Sequence, residues 1–191
     1  MIALFLGTEL ASIRHGPRLR QLLDGQRLPE HIVLAPDLAD PTASAQRRQL
    51  LDMYRGHDSR VGLFAGFPSD VLWEWVTLTP GELLQVKYIN YDYWVELSGG
   101  SRLAADAPVR IRTGVAPFRV SSEWAITLGE TLAAGAHFPP LILVTSGPTN
   151  NLVVLEGHAR LTAYAMRPDA LPSELEVMLG TSPQMVHWGL Y

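Results

Sequence analysis

The sequence predicts an α+β fold built on a mixed sheet, and three observations carry that prediction. Apolar runs of strand length alternate with segments of helical period. Gly-, Pro- and Asn-rich turns separate them. The 191 residues are 47% hydrophobic and 18% charged, a composition that buries a core. There is no internal repeat and no low-complexity tract.

The N-terminal third reads as an α/β extension. Glu9–Leu23 places Leu10, Ile13, Leu19, Leu22 and Leu23 at roughly helical spacing, with Gly16-Pro17 as a break or a start. His31–Ala35 is a short β-branched run. Asp40-Pro41 reads as an N-cap followed by a first-turn proline. The helix it opens runs to about Arg55, with Leu50, Leu51 and Tyr54 inward and Gly56 as the stop. Arg60–Phe64 is a strand candidate that Gly66-Phe67-Pro68 ends.

The middle is aromatic and strand-like. Val71, Trp73, Trp75 and Thr77 share one face at period two. Thr79-Pro80 opens a short helix to about Val86. Lys87–Leu97 alternates, with Ile89, Tyr91, Tyr93, Val95 and Leu97 on one face. Val109–Arg112 is a further short strand candidate. Residues 98–108, small and polar, are the best linker, so the chain divides at 108 into regions 1–108 and 109–191 that can also pack as one unit.

The last third is the clearest. Ser121 or Ser122 caps a helix to about Ala134, with Trp124, Leu128 and Leu132 stacked and Gly135 as its end. Pro139-Pro140 feeds the strand Leu141–Thr145, and Ser146–Asn151 turns the chain into Leu152–Leu155. A helix follows from Ala159 to Met166, halted by Arg167-Pro168. Leu175–Leu179 is a third strand, and Ser182-Pro183 starts a final short helix.

Composition removes several chemistries. With no cysteine, there is no disulfide framework, thiolate metal site or thiol nucleophile. The lone lysine, Lys87, follows Val86, so no Walker A loop exists. The six histidines show no H-x-H or H-E-x-x-H spacing, and no Gly-x-Ser-x-Gly elbow occurs. The net charge of −4 carries no basic block, which disfavours nucleic acid; Arg14, Arg18, Arg20, Arg47 and Arg48 read as solvated helix faces. Met1–Leu6 is apolar but stops at Thr8–Glu9, too short to span a membrane and without a basic start, so the reading is cytoplasmic. The aromatic strand 87–97 leaves a homodimer open.

One segment concentrates chemistry: Leu152–Leu155, then Glu156-Gly157-His158-Ala159-Arg160, then an amphipathic helix. A helix N-terminus presents unpaired N–H groups and the positive end of its dipole. Gly157 allows close approach of an anion, and Arg160 can grip it bidentately. Glu156 can hold a metal ion or accept a hydroxyl proton. The structural alternative is a turn glycine, a capping His158, and Arg160 paired at the surface with Glu156 or Glu174. Tyr88, Tyr91, Tyr93 and Trp94 read better as core and interface than as a stacking platform. Glu123 complements a helix dipole, and Arg110 and Arg112 share one strand face.

The Glu-Gly-His-x-Arg turn between a strand and a helix resembles the signature of the ParB/sulfiredoxin superfamily. The resemblance covers roughly residues 115–182 and leaves residues 1–114 unassigned. It implies a ParB/sulfiredoxin-like core on the C-terminal side. It also implies that Gly157, His158 and Arg160 contact nucleotide phosphate (ATP, ADP or CTP with Mg²⁺), with Glu156 at the family's acidic position. Glu156 and Arg160 are then the catalytic candidates, and the partner is a nucleotide or a small molecule that is phosphorylated or hydrolysed. Three departures limit it. His158 stands where sulfiredoxins carry their cysteine, which removes sulfinic-acid repair. Ala159 replaces the second histidine of the Gly-His-His-Arg versions. Residues 161–191 are too few for the helix-turn-helix domain of partition proteins. A ParB-like nuclease or DNA adaptor and a non-catalytic interaction module are the alternatives to an enzyme.

Overall fold

The computed structural model describes residues 1–56 and 62–191, which form two compact units, Met1–Phe67 and Pro68–Tyr191. The boundary expected at residue 108 and the linker expected over 98–108 both fall inside the second unit. The reason is packing: Ala104, Ala107 and Ile111 are buried in its core.

In the described residues of the first unit every regular element is a helix: α1 (Ile2–Ala11), α2 (Gly16–Gly25), α3 (His31–Leu34) and α4 (Pro41–Arg55). The α/β extension expected here is therefore helical where it is described. Gly16, the first residue of α2, packs close against the end of α1, where a Cβ would lie 2.5 Å from the Leu10 carbonyl oxygen. The β-branched run at 31–35 is helical, not extended. A four-residue apolar run fits either state, and its surroundings decide. Arg47 is buried, and its guanidinium donates to the Ile32 carbonyl at 3.2 Å, the Asp37 carbonyl at 2.9 Å and Ser44 Oγ at 2.8 Å. Arg47 is thus a clamp on α3 rather than part of a solvated face; Arg48 is exposed as expected. The cap of α4 is as read from the sequence: Asp40 Oδ1 accepts from the Thr42 and Ala43 N–H groups, and Gly56 closes the helix at φ 74°. Of the strand candidate 60–64, Arg60 and Val61 lie outside the described residues, and Gly62–Phe64 form a turn.

The second unit is a four-stranded mixed sheet with helices. Its strands are β1 (Leu72–Leu78), β2 (Ile142–Thr145), β3 (Val153–Glu156) and β4 (Leu175–Thr181), in the order β1-β4-β2-β3. β1 runs antiparallel to β4, β4 parallel to β2, and β2 antiparallel to β3 with a register shift at Ile142/Leu143. This is the α+β class with a mixed sheet. The helices are α5 (Pro80–Leu84), α6 (Asp92–Leu97), α7 (Ala107–Arg112), α8 (Glu123–Ala133) and α9 (His158–Met166). Leu83, Tyr88, Leu97, Leu132, Leu141, Leu143, Val154, Leu161 and Val177 meet in one core.

Two expected strands are helices. Over 87–97 only Lys87 joins the sheet, its N–H donating to the Leu152 carbonyl and its own carbonyl accepting from Val154 N–H, both at 2.8 Å. The chain then turns into α6, which begins on Asp92 and ends before Gly99 and Gly100, both at positive φ. The tyrosine alternation was an accident of composition. The aromatic rings stack within the unit rather than along a strand. Over 109–112, Pro108 opens α7 and Arg110 and Arg112 occupy its last turn, where cations favour the dipole. Their guanidiniums donate to the Glu96 and Met166 carbonyls, each at 3.2 Å.

Candidate functional site

The Glu156–Arg160 turn sits where the β2–β3 hairpin, at one edge of the sheet, hands over to α9. Val153–Leu155 are fully buried, so β3 brings Glu156 to the strand end inside the protein. Gly157 follows at φ 102°, ψ 23° as the N-cap of α9. Glycine is required twice over. The left-handed region penalises other residues, and a Cβ would lie 2.5 Å from Leu141 Cδ2 and 2.8 Å from Arg160 Nη2. The helix starts on His158, one residue earlier than the sequence suggests.

Arg160 and Glu156 are brought together. Arg160 Nη2 donates to Glu156 Oε2 at 2.8 Å, and each residue is 8% exposed. The pair is buried, not a surface pair, so its Coulomb attraction is weakly screened. Arg160 has five N–H donors, of which the carboxylate takes one in this geometry. Glu174 is not the partner that the sequence left open.

His158 is half-buried in an aromatic setting. Its ring lies near-parallel to Trp94, centroids 5.0 Å apart, and Trp94 stacks on Tyr88 at 4.9 Å. Trp124 and Tyr93 meet the Trp94 ring edge-on. A hydroxyl chain supports the helix start: Thr162 Oγ1 donates to the His158 carbonyl at 2.8 Å and lies 2.8 Å from the Tyr88 hydroxyl. Since Thr162 has spent its only proton, Tyr88 is the donor of that second bond. Burial pushes the Tyr88 hydroxyl pKa well above its ordinary value, which keeps it a neutral donor. Tyr88, Trp94, Thr162 and Leu141 are the neighbours that sequence reasoning missed as part of this turn. The i, i+4 step from His158 to Thr162 was readable; the approach of residues 88–94 was not, because that segment was read as a strand.

As a metal centre the turn offers little. Glu156 supplies one carboxylate, and that carboxylate holds Arg160. Among the described residues no group of three or more His, Asp or Glu side chains gathers. Also among the described residues, no helix is long and apolar enough to cross a membrane.

In comparisons with known proteins, no family model, no curated protein and no solved structure matches this chain. These comparisons neither support nor refute a ParB/sulfiredoxin-like superfamily.

Proposed function

We propose that this chain binds the phosphate of a nucleotide at the Glu156–Arg160 turn and acts in phosphoryl transfer or hydrolysis on a small hydroxylated molecule. One observation carries the reading: a left-handed glycine between β3 and α9, with the guanidinium of Arg160 beside it. Phosphate is the ligand that such a turn suits, through first-turn N–H groups and the helix dipole. Glu156 holds Arg160 in place, so the guanidinium is oriented before an anion arrives. Arg160 then stabilises charge on the phosphoryl oxygens, and Glu156 is the carboxylate of the turn that would accept a hydroxyl proton. A magnesium ion would enter on the nucleotide rather than reside in the protein. The same buried pair favours a second reading, a non-catalytic module in which Glu156 and Arg160 only lock the turn.

Isothermal titration against ATP, ADP, CTP and GTP with Mg²⁺ tests the proposal. One nucleotide is expected to bind, and Arg160→Lys, which keeps the charge but loses the fork, is expected to weaken it roughly tenfold or more. Binding by none of the four overturns it. Binding without turnover of any hydroxylated substrate selects the module.

A further inference from the structure

The series of rings that begins at His158 ends on an exposed phenylalanine. The Trp94 ring lies 5.0 Å from His158, Tyr93 lies 4.9 Å from Trp94, and Phe118 lies 6.3 Å from Tyr93. His158, Tyr93 and Trp94 are part-buried, whereas Phe118 is 57% exposed. Three such steps keep Phe118 within the length of an extended nucleoside triphosphate from the Glu156–Arg160 turn.

The backbone that presents this ring is strained. Phe118 (φ 52°) and Arg119 (φ 63°) are consecutive non-glycine residues in the left-handed region, which bulky side chains avoid. Among the described residues, the two other non-glycine positions of this kind, Arg27 and Arg102, serve local structure. Just after Arg27, the Leu28 N–H donates to the Leu23 carbonyl at 2.9 Å and closes α2. The Arg102 guanidinium donates to the carbonyls of Tyr88, Leu190 and Tyr191. Arg119, by contrast, is exposed, and no described residue holds its guanidinium. Strain of this kind gathers at ligand clamps, and here it displays an aromatic face next to a cation.

We propose that Phe118 is the base-binding residue for the nucleotide whose phosphate lies at the Glu156–Arg160 turn; the inference rests on that phosphate site. The heterocycle stacks on the Phe118 ring, an interaction open to every base because each has a π face. Arg119 adds a positive charge for an anionic ligand. The inner rings do not serve this purpose, because Trp94 is already stacked on Tyr88 and on His158.

Isothermal titration of the full chain against ATP, CTP, GTP and inorganic triphosphate, each with Mg²⁺, tests this. The nucleotide that binds best is expected to bind roughly tenfold or more tighter than inorganic triphosphate. Phe118→Leu, which removes the ring but keeps an apolar side chain, is expected to cancel that advantage and leave triphosphate binding unchanged. Phe118→Tyr, which keeps a ring, is expected to retain it. Inorganic triphosphate binding as tightly as every nucleotide overturns the base site and leaves the phosphate site standing. So does a nucleotide advantage that survives Phe118→Leu, or a folded Phe118→Leu variant that loses nucleotide and triphosphate alike. Binding of none of the four ligands removes the phosphate site itself, and this proposal with it. Circular dichroism reports whether each variant is folded. Should Phe118→Leu not fold, Phe118→Ala decides by the same comparison.

Discussion

Gly157 shows how one residue carries both fold and site. Its backbone conformation is left-handed, and the space beside it is filled by Leu141 and Arg160. Gly157→Ala is therefore expected to destabilise the protein by about 1–3 kcal/mol. The denaturant midpoint measures the loss. An unchanged midpoint would mean that the turn relaxes freely, and a turn that relaxes freely could not hold Arg160 in a set orientation. The Glu156–Arg160 pair is the complementary case. Its i, i+4 spacing was visible in the sequence. Its burial was not, because nothing local shows that β3 enters the core on both faces.

At the scale of elements, the readable ones are those with punctuation. The N-cap Asp40 with Pro41, the Thr79-Pro80 start and the Ser182–Pro183 start are where the sequence places them, and Glu82 adds a capping box with Thr79 that the sequence reading does not include. Asp40→Ala is expected to cost about 1 kcal/mol, with Asp40→Asn costing less, as read from urea unfolding. Equal effects of both would make charge rather than capping the cause. Of the elements misread, α3, α6 and α7 are six residues or fewer, while α1, ten residues long, reads as helical in the sequence only from Glu9 on. Runs as short as those three sample too few positions to separate period two from period 3.6, so their partners choose their conformation. For α3 the partner is Arg47; for α6 it is the Tyr88–Trp94–His158 stack.

For the whole molecule, the two units carry different electrostatics. The first holds a buried charge cluster: Glu9 accepts from the Tyr54 hydroxyl and pairs with Arg55 Nη2 at 2.6 Å, with His15 Nδ1 at 3.9 Å. Burial is the main cause that lowers the His15 pKa below its ordinary 6.5; Arg55, Arg14 and Arg18 add to it, and Glu9 opposes it. The unfolded chain then takes up this proton before the folded one does. Stability is expected to fall as the pH drops below 6.5 towards the lowered folded value, with nothing further lost from this group below it. Denaturant midpoints between about pH 7.5 and about pH 5.5 measure this, and His15→Gln is expected to flatten the dependence. A slope of the opposite sign would mean that Glu9 prevails over burial.

The amino-acid sequence was enough for the class of fold, the strand–turn–helix around Gly157, the major caps, and the chemistries that the absent cysteine and single lysine remove. These depend on interactions within a few residues, or on composition, and so survive without knowledge of the rest of the chain. Only tertiary structure decided that the units part at Phe67/Pro68, that Arg47 turns inward, that Trp94 comes to lie on His158, and that β1 is left at an edge. Each of those is set by contacts between residues far apart in sequence, where local pattern carries no information about which partner will arrive.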